Sequence, residues 1–356
     1  MLRFSGLSFE VMKILTLGTL SFVFSFAIAP FLIRFLYKNK MWRKEVRTKA
    51  IDGGQVSFFQ KFHAKGEVQT PRFGGALIPI TTVFLIFLFF VLSRVTDLDV
   101  FHKFNFLSRS QTWLPLFALV TASLLGFLDD LLQVLGRGKY IGGGLSLFYR
   151  LLTVFLIGVV GALWFYFKLE WHTLHIPGFG NLEIDGFYLP LFIVTMMAVY
   201  SGGVVDGLDG LSGGVFATIF AGFTTIALFR HQTDLAAFLT VILGGLMAFL
   251  WYNIPPARFY MGETGILGLT ATLTVVAFLT DSVFVLPLIA FVLVLESGSV
   301  ILQLLSKKFR KKKVFLASPL HYHFEAKGWP ASQVTMRFWV ISMVAAMIGV
   351  IIRLFG

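Results

Sequence analysis

The sequence predicts an all-α polytopic membrane protein of about ten transmembrane helices, with a small external β-hairpin and both termini outside. Three observations lead there. The 356 residues are 57% hydrophobic and only 13% charged, with a mean hydropathy of +0.82, which would leave a water-soluble chain with too much apolar surface. The apolar residues fall into ten runs, near residues 12–37, 75–93, 113–135, 145–167, 187–204, 211–229, 235–252, 264–280, 283–305 and 335–355, each close to the length of about 20 that crosses a bilayer. Lys and Arg gather in alternate connections, as the positive-inside rule requires.

Taken in order, the first run, Ile14 to Leu36, is long enough to span and shows no clear cleavage site, so it reads as a retained helix. The connection after it holds Lys38, Lys40, Arg43, Lys44, Arg47, Lys49, Lys61, Lys65 and Arg72; the ninth connection holds Lys307, Lys308, Arg310, Lys311, Lys312, Lys313 and Lys327. Odd connections are therefore cytoplasmic. The fourth, HTLHIPGFGNLEIDGFY, alternates apolar and polar residues around Pro-Gly and Gly-Asn turn signals and reads as an external β-hairpin. Only Thr280-Asp281-Ser282 separates the eighth and ninth runs. No internal repeat or low-complexity linker divides the chain, so residues 1–356 read as one integral membrane domain. The net charge of +12 fits cytoplasmic loops beside anionic lipid, and Lys307–Lys313 a segment facing headgroups. No basic stretch is interleaved with aromatics as in nucleic-acid folds. With no cysteine, disulfides and thiolate metal sites are excluded.

The informative residues are acids at span ends, because a carboxylate near hydrocarbon needs water, a metal or a cation. Asp129 and Asp130 close the third run; one can hold a metal or a cation while the other acts as a base, and the bland alternative is a solvated helix end. Asp206 and Asp209, in VVDGLDGLSGG between runs five and six, share a face if that segment is helical, and Asp209 could cap run six. Glu263, in FYMGETG ahead of run eight, lies at a helix N-terminus, where phosphate is favoured and a carboxylate can hold Mg2+ against it. By the charge argument all five acids face the cytoplasm. An ion-coupled transporter would place its acids near the midplane and show an inverted repeat. Thr70-Pro71-Arg72-Phe73-Gly74-Gly75 precedes run two with His63 and Lys65 just upstream; Lys65 and Arg72 could contact a diphosphate, and the bland alternative is topology-setting charge. His321 and His323 diverge at i,i+2 without a third soft ligand, which fits hydrogen bonds to phosphate or sugar better than zinc. Asn253 ends run seven. Glu296 reads as structural, its expected partner being Gln303 on the same helix.

TPRFGG, GFLDDLLQV, VDGLDGL, FLWYN, FYMGETG, LESGSVILQ and SPLHYHFEAKGWP followed by RFW together resemble the phospho-N-acetylmuramoyl-pentapeptide transferases, the MraY family of polyprenyl-phosphate N-acetylhexosamine-1-phosphate transferases. The resemblance covers nearly the whole chain, and HYHFEAKGWP favours the muramoyl-pentapeptide branch. It implies a Mg2+-dependent cytoplasmic site, often a homodimer, and transfer of phospho-MurNAc-pentapeptide from UDP-MurNAc-pentapeptide to undecaprenyl phosphate, giving lipid I and UMP. It makes Asp129 and Asp130 catalytic acids and Glu263, with Asp130, the metal ligands. Asp206 and Asp209 would line the nucleotide region, and Lys65, Asn253, Tyr260, His321 and His323 would contact substrate. Five positions depart from the family pattern: Gln133 stands for a Lys, Tyr200 and Gly203 for two Asn, Tyr322 for the middle His, and Glu263 for the metal-binding Asp. The alternatives these departures raise are a related UDP-N-acetylhexosamine transferase and a non-catalytic scaffold.

Overall fold

The computed structural model describes residues 6–46, 66–138 and 144–356. Its helices are α1 (Gly6–Lys38), α2 (Leu77–Val95), α3 (Asp99–Phe104), α4 (Trp113–Val134), α5 (Leu147–Leu163), α6 (Tyr188–Ser201), α7 (Leu211–Phe229), α8 (Thr233–Asn253), α9 (Gly262–Leu279), α10 (Leu286–Ile289), α11 (Phe291–Arg310), α12 (Leu320–Ala326) and α13 (Ala331–Phe355). Among the described residues nine helices are long and apolar enough to cross a membrane, so the chain is a multi-pass membrane protein. Nine of the ten predicted runs supply them. The remaining run, residues 283–305, is broken at Ala290 (φ −97°, ψ 30°) into α10 and α11. Helix α11 buries Val292, Leu293, Glu296, Ser299, Gln303 and Ser306 on one side and exposes Val294, Ile301, Leu302, Leu305 and Phe309 on the other. Its polar content, ending in Lys307, Lys308 and Arg310, keeps it below the hydropathy of a simple span.

Burial separates the helices into a centre and a rim. In α9, 94% of the most apolar window is buried, against 28% for the segment that begins with α5, so α9 is the central post and α5 faces lipid. A helix surrounded by protein can carry hydroxyls if each finds an acceptor. Thr270, Thr272 and Thr274 donate to the carbonyls of Ile266, Gly268 and Thr270 at 2.7, 2.7 and 3.1 Å. Helices α4 and α9 meet through small residues, the packing that substitutes for a hydrophobic drive inside lipid. A Cβ on Gly126 would lie 2.2 Å from the Glu263 carbonyl oxygen, and one on Gly268 2.1 Å from Ser123 Oγ. That seam sets the end of α4 beside the start of α9.

The predicted hairpin forms: β1 (Thr173–Ile176) and β2 (Gly180–Glu183) are antiparallel, with Thr173 opposite Glu183 and Ile176 opposite Gly180. Gly178 N donates to Gly356 O at 2.7 Å, so the hairpin and the end of α13 share one side of the bundle.

Candidate active site

The three acidic motifs converge at one end of the central helices. On α4, Asp129 and Asp130 are both fully buried. Asp130 Oδ2 accepts from Thr264 N at 2.9 Å and Thr264 Oγ1 at 2.8 Å, so a carboxylate from α4 caps the N-terminus of α9 and meets its partial positive charge. Its Oδ1 takes Arg72 Nε at 3.1 Å. Gly262, at φ +70°, brings the backbone so close that a Cβ would lie 2.5 Å from Asp130 Oδ2, and only glycine meets both demands cheaply. Burial works against the Arg72 charge, but Asp130, Asp206 and Glu263 outweigh it and hold its guanidinium above the ordinary value.

Asp129 accepts from Leu145 N at 2.5 Å and from Gln133 Nε2 at 2.9 Å, and pairs with Arg150 Nη2 at 2.7 Å. Arg150 Nη1 also reaches Glu263 Oε1 at 2.6 Å. One guanidinium on α5 therefore bridges the two acids that the sequence sets 134 residues apart on α4 and α9. Arg150 was missed in the sequence; the signal was a lone cation inside the apolar stretch LSLFYRLLTV, which needs a partner there.

Asp206 and Asp209 do not share a face. After a 3-10 turn, Gly202–Val205, the chain turns without becoming helical, and the carboxylates separate. Asp206 accepts from Ser212 Oγ at 2.8 Å and Gly262 N at 3.3 Å, beside Glu263. Asp209 accepts from Ala257 N at 3.0 Å, and Gly210, at the cap position ahead of α7, leaves that helix without a side-chain cap. Burial pushes the Asp206 carboxyl above its usual range, opposed by Ser212 and Arg72. Asn253 spends both ends of its amide on the backbone, Oδ1 on Gly210 N at 2.9 Å and Nδ2 on Phe259 O at 2.8 Å, which fixes this turn to the segment ahead of α9. Tyr260 exchanges backbone bonds with Pro71 and Gly74, zipping the TPRFGG segment alongside; burial, then the Asp209 charge, pushes its phenol up to about 12. Lys65, and His63 with it, lie outside the described residues.

The two histidines part company. His321 is fully buried, its Nδ1 2.8 Å from Glu296 Oε2. Its Nε2 has no hydrogen-bond partner among the described residues and lies against Gly207, where a Cβ would be 2.2 Å away, beside Asp206. His323 turns outward, its Nδ1 accepting from Leu316 N at 3.1 Å. The partner of Glu296 is thus His321 rather than Gln303. Gln303 instead holds the backbone of Val314 and Phe315, because α12 folds back over α11 and delivers a stronger partner than any on the same helix.

Among the described residues no three acidic or histidine side chains form a ready metal cage, and Arg72 and Arg150 occupy the carboxylates. The donor set is nonetheless hard oxygen, and Glu263 Oε2 is buried without a hydrogen-bond partner among the described residues. An unpaired buried carboxylate oxygen fits a divalent cation such as Mg2+.

Carboxylates and arginines gather at one end of α4 and α9 as a candidate site, and residues 112–281 match the model of Glycosyl transferase family 4, so the class is a multi-pass membrane transferase. The phospho-N-acetylmuramoyl-pentapeptide-transferase of a Geobacillus strain is 34% identical over 94% of this chain and 96% of its own. Those of Listeria welshimeri and a Thermoanaerobacter strain are 33% and 34% identical over the same shares. The chain belongs to the phospho-N-acetylmuramoyl-pentapeptide-transferase family.

Proposed function

We propose that the chain transfers phospho-MurNAc-pentapeptide from UDP-MurNAc-pentapeptide to undecaprenyl phosphate, releasing UMP and giving lipid I for peptidoglycan synthesis. The whole chain acts as one domain of the bacterial inner membrane, with the site facing the cytoplasm, the termini and hairpin outside, and a homodimer as its assembly. The observation that carries the reading is the meeting of buried Asp129, Asp130 and Arg150 with partly buried Glu263 and Arg72 in one cluster, in a chain of this family.

Phosphoryl transfer asks for positioned oxyanions and for compensation of charge that grows on the diphosphate. Glu263, through its unpartnered oxygen, and Asp130 are the residues that would hold Mg2+. Bound there, the ion would supply that charge compensation. Arg72 and Arg150 already lie against the carboxylates, and a phosphate entering the cluster meets their guanidinium donors. Asp129, held by Gln133, Leu145 and Arg150, takes the proton from the lipid phosphate as it attacks the β-phosphorus. His321 Nε2 and Asp206 border the region of the sugar nucleotide.

The test is UMP release by purified protein in detergent with both substrates, with and without Mg2+. Mg2+-dependent release with lipid I is expected. Folded protein that releases none refutes the reading, and turnover of UDP-GlcNAc in its place moves it to the related transferase.

A further inference from the structure

Behind Asp129 runs a buried polar chain that reaches a different part of the molecule. Gln133, one turn on from Asp129 along α4, donates from Nε2 to Asp129 Oδ2 at 2.9 Å. Its Oε1 accepts from Arg43 Nε at 2.9 Å and also from Arg43 Nη2. Arg43 Nη1 in turn donates to Glu67 Oε1 at 2.6 Å. Arg43 follows α1 and Glu67 precedes α2. Gln133, Arg43 and Glu67 are 1%, 4% and 6% exposed.

We propose that Arg43 and Glu67 are positioning residues for Asp129, acting through Gln133; the proposal rests on the reading of Asp129 as the acid that meets the lipid phosphate. The amide of a glutamine can turn over, presenting either oxygen or nitrogen to a neighbour. A guanidinium has donors only, so with Arg43 on one side the oxygen must face it and the nitrogen must face Asp129. Arg43 thereby removes the orientation in which amide oxygen would oppose carboxylate oxygen. Glu67 fixes Arg43, so the segments flanking α2 determine where the carboxylate at the end of α4 points. Burying an ion pair gains little stability over an apolar filling of the same shape, which makes orientation the better account of this chain.

The chain also predicts an interaction between two substitutions. Gln133→Lys takes the acceptor away from Arg43 and sets an ammonium beside its guanidinium, and the repulsion between these like charges displaces both from the wild-type alignment. Arg43→Met leaves the amide free to turn. Each alone lowers kcat by about 10-fold or more, with KM for the sugar nucleotide within about 2-fold, because the step lost is alignment and not substrate binding. Together they put a cation on Asp129 with no opposing charge, and kcat returns to within about 3-fold of wild type, a reversal that independent sites do not show. Should Arg43→Met not fold, Glu67→Gln carries the test, since it removes the charge that faces Arg43 at nearly constant volume; the same fall in kcat at constant KM is expected. A double variant no faster than the slower single, or Arg43→Met (or Glu67→Gln) with wild-type kcat, overturns the relay while the reading of the site stands. Wild-type protein that releases no UMP overturns that reading and the positioning role with it.

Discussion

Arg150 carries the most heavily weighted prediction. Its guanidinium lies 2.7 Å from Asp129 and 2.6 Å from Glu263, with side-chain exposures of 9%, 0% and 17% for the three. Replacing it with Met keeps most of the stem's packing and removes the charge. Breaking a buried pair from one side costs about 3–5 kcal/mol, because the surviving charge is left buried. Here two carboxylates are abandoned, but Asp129 keeps Gln133 and Leu145 and Glu263 touches solvent, so the lower figure, about 3 kcal/mol, is appropriate. Placed on the transition state, that is about 10²-fold in kcat/KM; placed on folding, roughly 5 °C in melting temperature. The assay is UMP release alongside a thermal melt in detergent. Arg150→Lys, which keeps the charge but cannot bridge both acids with a planar fork, should fall between. Wild-type kcat/KM in Arg150→Met, whatever the melt shows, refutes a functional bridge and leaves Arg150 a structural pair.

Asp129→Asn and Asp130→Asn should each abolish turnover in protein that still melts cooperatively; near-normal activity in both removes them from the chemistry. Glu263→Gln should lose Mg2+-dependent UMP release, and Glu263→Asp should keep it about 10-fold weaker, since withdrawal by one methylene is of the order that costs up to ~10²; a Mg2+ titration of both variants checks this. Burial, then the neighbouring Lys327, holds His323 below the ordinary histidine value of 6.5, and its Nδ1 can accept from Leu316 only while unprotonated. A depressed histidine contributes stability above 6.5 that is lost as pH falls through the folded value. Melts of wild type against His323→Gln from pH 7.5 to 5 should therefore show the wild type losing ground; a constant gap removes the titration.

How much of this was legible depends on sequence range. The spans were, because hydropathy is summed over about 20 residues and forgives local errors. The break at Ala290 was not, since a Leu- and Val-rich run averages across a single turned residue. The hairpin was legible through its Pro-Gly and Gly-Asn turns. The convergence of the acids followed from topology, which places whole loops on one side whatever their distance in the chain. Partners did not follow: Arg150 meets Glu263 across 113 residues and Arg43 meets Gln133 across 90, and no local period encodes such pairs. The same blindness assigned Glu296 to Gln303 on its own helix when His321, 25 residues away, was the partner. Asp206 and Asp209 share a face only if their segment is helical, and their spacing carries no sign of a turn that glycine makes possible.

The glycine seam between α4 and α9 has a consequence for Glu263. With Gly126 already against the carbonyl of residue 263, the two helices have no slack to trade. The reach of the Glu263 carboxylate is therefore set by its own side chain and not by sliding one rod along the other. That side chain ends at Arg150 on α5. With Asp129 held by the same guanidinium, a site framed by two helices has a third wall, and one that faces lipid. Substitutions on the rim helix α5 therefore reach the candidate site.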